Sequence, residues 1–256
     1  MRVDSALPRI TLLARNSWKG LARLVSAIHA QQERGAPILT RNILQEGSDF
    51  SILLGTDSNV AHALSRRRPD LAAEYLREWR EIAGERIVIE CVSHFHREGI
   101  QSVEGAARMF KFAREHQIKA VLTNQVRMLN KEDAPVADVL DAARKLVPLH
   151  RRHVERSNSE AYLKSPAEMY RIANEVARAA GESARDLLHG TIACGEAHVL
   201  NPHDYLGGIY LPEPEVVGGF SHGELIEILT QRCESGLSWR YQSEALRLRG
   251  LYRLQE

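Results

Sequence analysis

At 256 residues, with 44% hydrophobic and 26% charged side chains, the chain can bury a real core and fits one large domain or two small ones. Thirty-four Lys and Arg stand against thirty-three Asp and Glu, so no global field drives non-specific nucleic-acid binding, and any DNA contact must be local. The three cysteines, Cys91, Cys194 and Cys233, lie far apart with no C-x-x-C pair, which argues against a disulfide framework or thiolate zinc site and for a reducing cytoplasm. No apolar run approaches the roughly 20 residues of a spanning helix, and Met1 to Arg9 lacks the apolar core of a signal peptide.

Ile10 to Ala14 is a short apolar run that predicts a buried strand, followed by Trp18, Leu21, Leu24, Val25 and Ile28 at helical spacing. Asn42 to Glu46 predicts one helical turn, and Phe50 to Leu54 a second strand stopped at Gly55. Leu71, Tyr75, Leu76, Trp79 and Ile82 form an apolar stripe behind Pro69, with Gly84 as a stop before a strand over Ile87 to Val92. Val103, Ala106, Ala107, Phe110 and Ala113 predict the next helix, and Ala120 to Thr123 the next strand. Strands alternating with helices in this way predict parallel pairing and an α/β first half, a sheet or part of a barrel.

From Pro135 onward helical patterns succeed one another, with no convincing strand before Ile209. Ser165-Pro166-Ala167-Glu168 is a capping box with Pro at the first helical position and opens a helix to about Ala180. Between Asn201 and Gly219 the composition shifts to Pro and Gly, which predicts an extended linker, and a further helical region follows over Glu224 to Arg240.

The run Ala120-Val121-Leu122-Thr123-Asn124-Gln125-Val126-Arg127 resembles the strand end written V-A-T-N-D-V-H in the PHP (polymerase and histidinol phosphatase) domain of bacterial C-family DNA polymerase alpha subunits. Upstream, Ile10 to Asn16 with Gly20-Leu21 and Leu24-Val25-Ser26 is similar to that family's L-L-A-x-N-x-x-G-Y segment. Downstream, Tyr162-Leu163-Lys164-Ser165 through Met169 is similar to its Y-L-K-S-x-E-E-M. The resemblance runs over roughly residues 9 to 215, and Asp133 to Leu140 looks most like the error-prone, translesion branch. It implies a PHP-type distorted β/α barrel, incomplete here, followed by a mostly helical C-terminal region. The implied organisation is a partial barrel over 1–134, the helical remainder of the PHP region over 135–200, and a linker with a helical extension over 201–256.

The family holds metal ions at its strand ends and in some members supports 3′–5′ exonuclease chemistry. Here the Asp and His of T-N-D-V-H correspond to Gln125 and Arg127, so an anionic ligand becomes a neutral amide and an imidazole a permanent cation. The family's leading H-x-H segments would lie before Met1. Cys91, His94 and His96, spaced C-x-x-H-x-H at a strand end, offer an alternative ligand set for zinc or manganese. The blander reading buries Cys91 in the strand and turns His94 and His96 outward into a solvated loop. Polymerase chemistry needs paired carboxylates around two divalent ions, and no Asp-x-Asp occurs in the sequence.

One basic cluster, Arg144, Lys145, Arg151, Arg152 and Arg156, could touch phosphates, although such connections are commonly just solvated. Ser157 and Thr191 show no sequence arrangement that ties them to nucleophilic catalysis. The expectation is therefore a structural PHP-domain fragment of a translesion-type alpha subunit, needing no cofactor, with a genuine product, a split gene and a truncated remnant all left open by the sequence. Its partners would be the missing polymerase core or other subunits of a translesion complex. The alternatives are a stand-alone metal-dependent PHP phosphoesterase or 3′–5′ exonuclease, and a DNA-binding accessory protein working through the basic cluster.

Overall fold

The computed structural model describes residues 8–15, 17–30, 38–45, 49–154, 156–205, 207 and 218–255. The chain divides into two units, Met1–Tyr205 and Leu206–Glu256. The first is built on a four-stranded sheet of β1 (Thr11–Ala14), β2 (Phe50–Leu54), β3 (Ile87–Val92) and β4 (Lys119–Thr123), in the order β1-β2-β3-β4. Every residue of β2 and β3 is buried, as expected of strands covered on both faces.

Pairing is parallel from β2 to β3 (Ile52 beside Ile87) and from β3 to β4 (Val88 beside Lys119). Between β1 and β2 it is antiparallel, with Thr11 beside Leu53, which corrects the expectation of parallel pairing throughout. The Arg15 amide, just past the end of β1, donates to the Asp49 carbonyl at the entry to β2, 2.8 Å away. The helical excursion through α1 (Trp18–Ala30) and α2 (Arg41–Gln45) thus leaves and rejoins the sheet at one end and makes no crossover. The described strands form an open sheet with β1 and β4 at its edges, so the α/β class holds, while the barrel closure implied by the resemblance is not seen among them.

Helices α3 (Asn59–Ser65), α4 (Pro69–Ala83), α5 (Val103–Glu115), α6 (Ala134–Arg144), α7 (Pro166–Ala180) and α8 (Ala184–His198) complete this unit. Their ends follow local chemistry. The Ser58 hydroxyl accepts from the Ala61 amide at 3.2 Å, and the Ser102 hydroxyl from the Gly105 amide at 2.9 Å. Ser165 and Glu168 form the reciprocal cap of α7, which ends on left-handed Gly181.

Strand alternation divides the sheet into two faces. Ile52, Leu54, Ile87, Ile89, Cys91 and Leu122 join the large core with Leu76, Phe110, Ile172, Val176 and Leu187 from the helices. Leu53, Val88 and Val121 form a smaller cluster on the other face, with Leu13 and Cys194 against it. Helix α8 closes the β4 edge: the Leu122 amide donates to the Thr191 hydroxyl at 2.8 Å, and a Cβ on Gly190 would lie 2.2 Å from the Ala120 carbonyl oxygen. Farther along α8, His198 Nε2 lies 2.8 Å from the Ser51 hydroxyl on β2.

In the second unit the described residues form α9 (His222–Arg240) and α10 (Glu244–Gln255). Ser221 and Glu224 cap α9 reciprocally, and Arg247 Nε donates to the Tyr241 carbonyl at 2.6 Å across the turn. The expected linker from Asn201 to Gly219 falls largely outside the described residues; its start is a short turn over Pro202–Asp204 capped by Asn201. No helix among the described residues is long and apolar enough to cross a membrane.

Candidate functional site

Ligand sites of open α/β sheets gather at the carboxyl ends of parallel strands. At that end of β2, β3 and β4 the chain assembles a polar cluster with Glu90 at its centre. Glu90 alternates onto the face opposite Ile89 and Cys91 and is only 6% exposed. Its Oε1 accepts from the Thr123 hydroxyl at 2.6 Å and its Oε2 from Gln125 Nε2 at 3.4 Å, so both donors are neutral. The absence of a side chain at Gly55 makes room for it, because a Cβ there would sit 2.0 Å from Oε2.

Gln125 ties the three strand ends together. Its Nε2 lies 3.2 Å from the Thr56 hydroxyl beyond β2, and its Oε1 accepts from Gln101 Nε2 at 3.2 Å. Its backbone is left-handed, φ 40°, as is that of Phe95 after β3, φ 55°. Such conformations cost of order 1–3 kcal/mol and persist where the surroundings fix them.

His94 is 6% exposed and does not project into solvent, which corrects the blander expectation for it. The reason is a non-local partner: the ring Nε2 lies 2.9 Å from the Asn124 carbonyl oxygen, which can only accept, so this nitrogen carries the proton. Burial pulls the imidazole below its ordinary value, which keeps it neutral at pH 7. Asn158 Nδ2 donates to the His94 carbonyl at 2.7 Å. His96 lies partly exposed, its Nε2 2.8 Å from the Ser157 hydroxyl, a contact across 61 residues that the sequence did not announce.

Beneath this loop lies a charged network. The Lys164 side chain is fully buried, 0% exposed, and its ammonium reaches Glu160 Oε2 at 3.1 Å, the Glu160 carbonyl, Asn124 Oδ1 at 3.4 Å and the Tyr162 ring face at 4.1 Å. Lys131 Nζ holds the other Glu160 oxygen at 2.6 Å. Burial pulls the Lys164 ammonium below the ordinary lysine range. Burial also acts to raise the Glu160 carboxyl, but the hydrogen bonds from Lys131 and Lys164 outweigh it and hold that group below its usual value. Asn124 Nδ2 donates to the Glu160 and Tyr162 carbonyls at 2.8 and 2.7 Å, locking the 160–164 segment to the end of β4.

The metal ions implied by the resemblance do not fit these residues. Gln125 is engaged through both amide atoms, and Arg127 turns away to pair with Asp141 on α6 at 2.7 Å. Cys91 is wholly buried in the helix-covered core, and burial pushes its thiol up, away from the thiolate a metal needs. The rings of His94 and His96 stand 6.1 Å apart, but with Cys91 they form no three-ligand group, and no such group occurs among the described residues.

The basic cluster does not form one surface of free cations. Arg156 is turned into ion pairs with Asp138 at 2.6 Å and Asp141 at 3.5 Å, and Arg144 lies 3.7 Å from Asp141. Lys145, Arg151 and Arg152 are exposed.

Sequence reading passed over Glu90 and the Lys164 network. The first had a signal, a lone carboxylate inside the apolar run Ile87 to Val92; the second had only the helical-range spacing of Glu160 and Lys164.

An α/β sheet with a polar, carboxylate-centred cluster at its strand ends defines the class, and comparison with known proteins narrows it. The chain is 30% identical over 173 residues to DNA polymerase III subunit alpha of Thermus aquaticus, covering 65% of this chain and 14% of that protein. It is 28% identical over 183 residues to the Pseudomonas aeruginosa protein of the same name, covering 69% and 15%. An error-prone DNA polymerase of Sinorhizobium medicae is 26% identical over 195 residues, covering 76% and 17%. No protein-family model matches the chain. The resemblance to DNA polymerase III alpha subunits and an error-prone DNA polymerase thus extends over 65–76% of the chain, which spans 14–17% of the length of these relatives.

Proposed function

We infer that the chain is a structural, non-catalytic counterpart of the PHP region of a bacterial DNA polymerase III alpha subunit, of the error-prone type, whose role is to support a polymerase core in replication or translesion repair. The observation that carries this reading is the similarity to alpha subunits combined with the side chains at the matching strand end, where Gln125 and Arg127 are both committed to internal partners. On this reading residues 1–134 correspond to a partial PHP barrel, 135–200 to its helical remainder, and 201–256 to an extension toward the polymerase core. The partner is that core or another subunit of the polymerase assembly, in the cytoplasm, and nucleotidyl transfer resides outside this chain.

The test is elemental analysis of the purified full chain, paired with 3′-end and phosphodiester hydrolysis in added zinc or manganese and primer extension in magnesium. No turnover in any assay is expected. Stoichiometric metal with turnover, both abolished by replacing His94 and His96, would establish a phosphoesterase instead.

A further inference from the structure

The Gln125 carboxamide occupies an unusual position. It stands between a carboxylate, Glu90 Oε2 at 3.4 Å, and two neutral groups, the Thr56 hydroxyl at 3.2 Å and the Gln101 amide at 3.2 Å. Glu90 is buried, and among the described residues it receives only neutral donors, Thr123 from its own face of the sheet and Gln125 from the end of β4. A buried carboxylate at converging strand ends is ordinarily neutralised by a cation, protonation or several hydrogen bonds. Here the amide supplies the positive end of a dipole toward Glu90, while its carbonyl oxygen accepts from Gln101 at 3.2 Å and lies 3.3 Å from the Thr56 hydroxyl. The left-handed backbone at Gln125 brings the side chain into this bridge, and Gly55 leaves the space for it.

We propose that Gln125 is a built-in substitute for a bound cation: its carboxamide clamps the ends of β2, β3 and β4 together around Glu90, so that this corner of the fold is complete without a metal. The inference stands on the geometry of the cluster and not on the polymerase reading. Gln125→Glu keeps the shape but replaces the donor with a second carboxylate oxygen facing Glu90, and two such oxygens need either a shared proton or a cation between them. Exchanging the two groups, with Gln at 90 and Glu at 125, restores one donor and one carboxylate in reversed order. The Thr123 hydroxyl can then donate to the amide oxygen at 90, and Gln101 to the carboxylate at 125.

The experiment is a set of thermal unfolding midpoints for the full wild-type chain, Gln125→Glu, Glu90→Gln, and the Glu90→Gln/Gln125→Glu double variant, each in EDTA and in excess manganese or zinc. The wild type should melt at the same temperature in all conditions. Gln125→Glu should lose about 5 °C in EDTA and regain most of it with metal. The double variant should return to within about 2 °C of wild type in EDTA, the signature of a direct pair. A wild-type midpoint that rises with metal would overturn the proposal, as would a double variant no more stable than Gln125→Glu. If Gln125→Glu alone does not fold, the double variant and the wild-type metal series still decide the outcome.

Discussion

Lys164 carries an unusual load for a single residue. A lysine with a fully buried side chain must have its charge met, and Glu160, the Asn124 side chain and the Tyr162 ring meet it together. Removing such a cation leaves buried Asn124 and half-buried Glu160 short of a donor, a loss distinct from removing a surface ion pair. Lys164→Met keeps the length and removes the charge, and it should lower the unfolding free energy by about 3 kcal/mol in urea titrations, Lys131 still holding one Glu160 oxygen. A loss below about 1 kcal/mol would mean the network is worth no more than an exposed pair.

Residue-scale chemistry was only partly legible in the sequence. Gln125 and Arg127 stood out against the motif they resemble, but their present partners are remote: Thr56 lies 69 residues from Gln125 along the chain and Asp141 lies 14 from Arg127. The burial of His94 was hidden for the same reason, since its acceptor, the Asn124 carbonyl, becomes a neighbour only when β3 and β4 pair.

At the scale of elements, those with local signals were legible. The apolar run Phe50 to Leu54 is β2 as expected, and Ser165-Pro166-Ala167-Glu168 opens α7, which ends at Ala180. The direction of β1 was not, because alternation of strands and helices does not say whether a helical excursion crosses the sheet or returns to the end it left. Helix α7 also yields a pH prediction. The hydrogen bond from the Tyr162 hydroxyl, followed by those from the Ser165 amide and hydroxyl, holds the Glu168 carboxyl down to about 2, below its ordinary value of 4.5. A carboxyl depressed in the folded state contributes stability that is complete above its unfolded value and lost as pH falls through the folded one. This contribution should therefore disappear between about pH 4.5 and about pH 2. Glutamine can fill the same place in a capping box without titrating. Circular-dichroism melts of Glu168→Gln should show a shallower fall in stability across that window than wild type; identical slopes would place the acid sensitivity elsewhere.

Across the whole molecule, the first unit has a continuous core, with the β4 edge closed by α8 through Thr191 and Gly190. The second unit differs: no described residue of α9 is buried, and Ile226, Leu229, Trp239, Leu246, Leu248 and Tyr252 are exposed. The α/β class and the helical second half could be read from periodicity, whereas the open arrangement of the sheet could not, since closure depends on contacts between strands remote in sequence.

The supporting role is tested most directly by co-expressing the full chain with a DNA polymerase III alpha subunit from which the matching stretch has been deleted, and measuring association and primer extension by the purified mixture. Co-elution as one complex, with primer extension restored above that of the deleted subunit alone, is the predicted result. Separate elution with no gain in extension would contradict it.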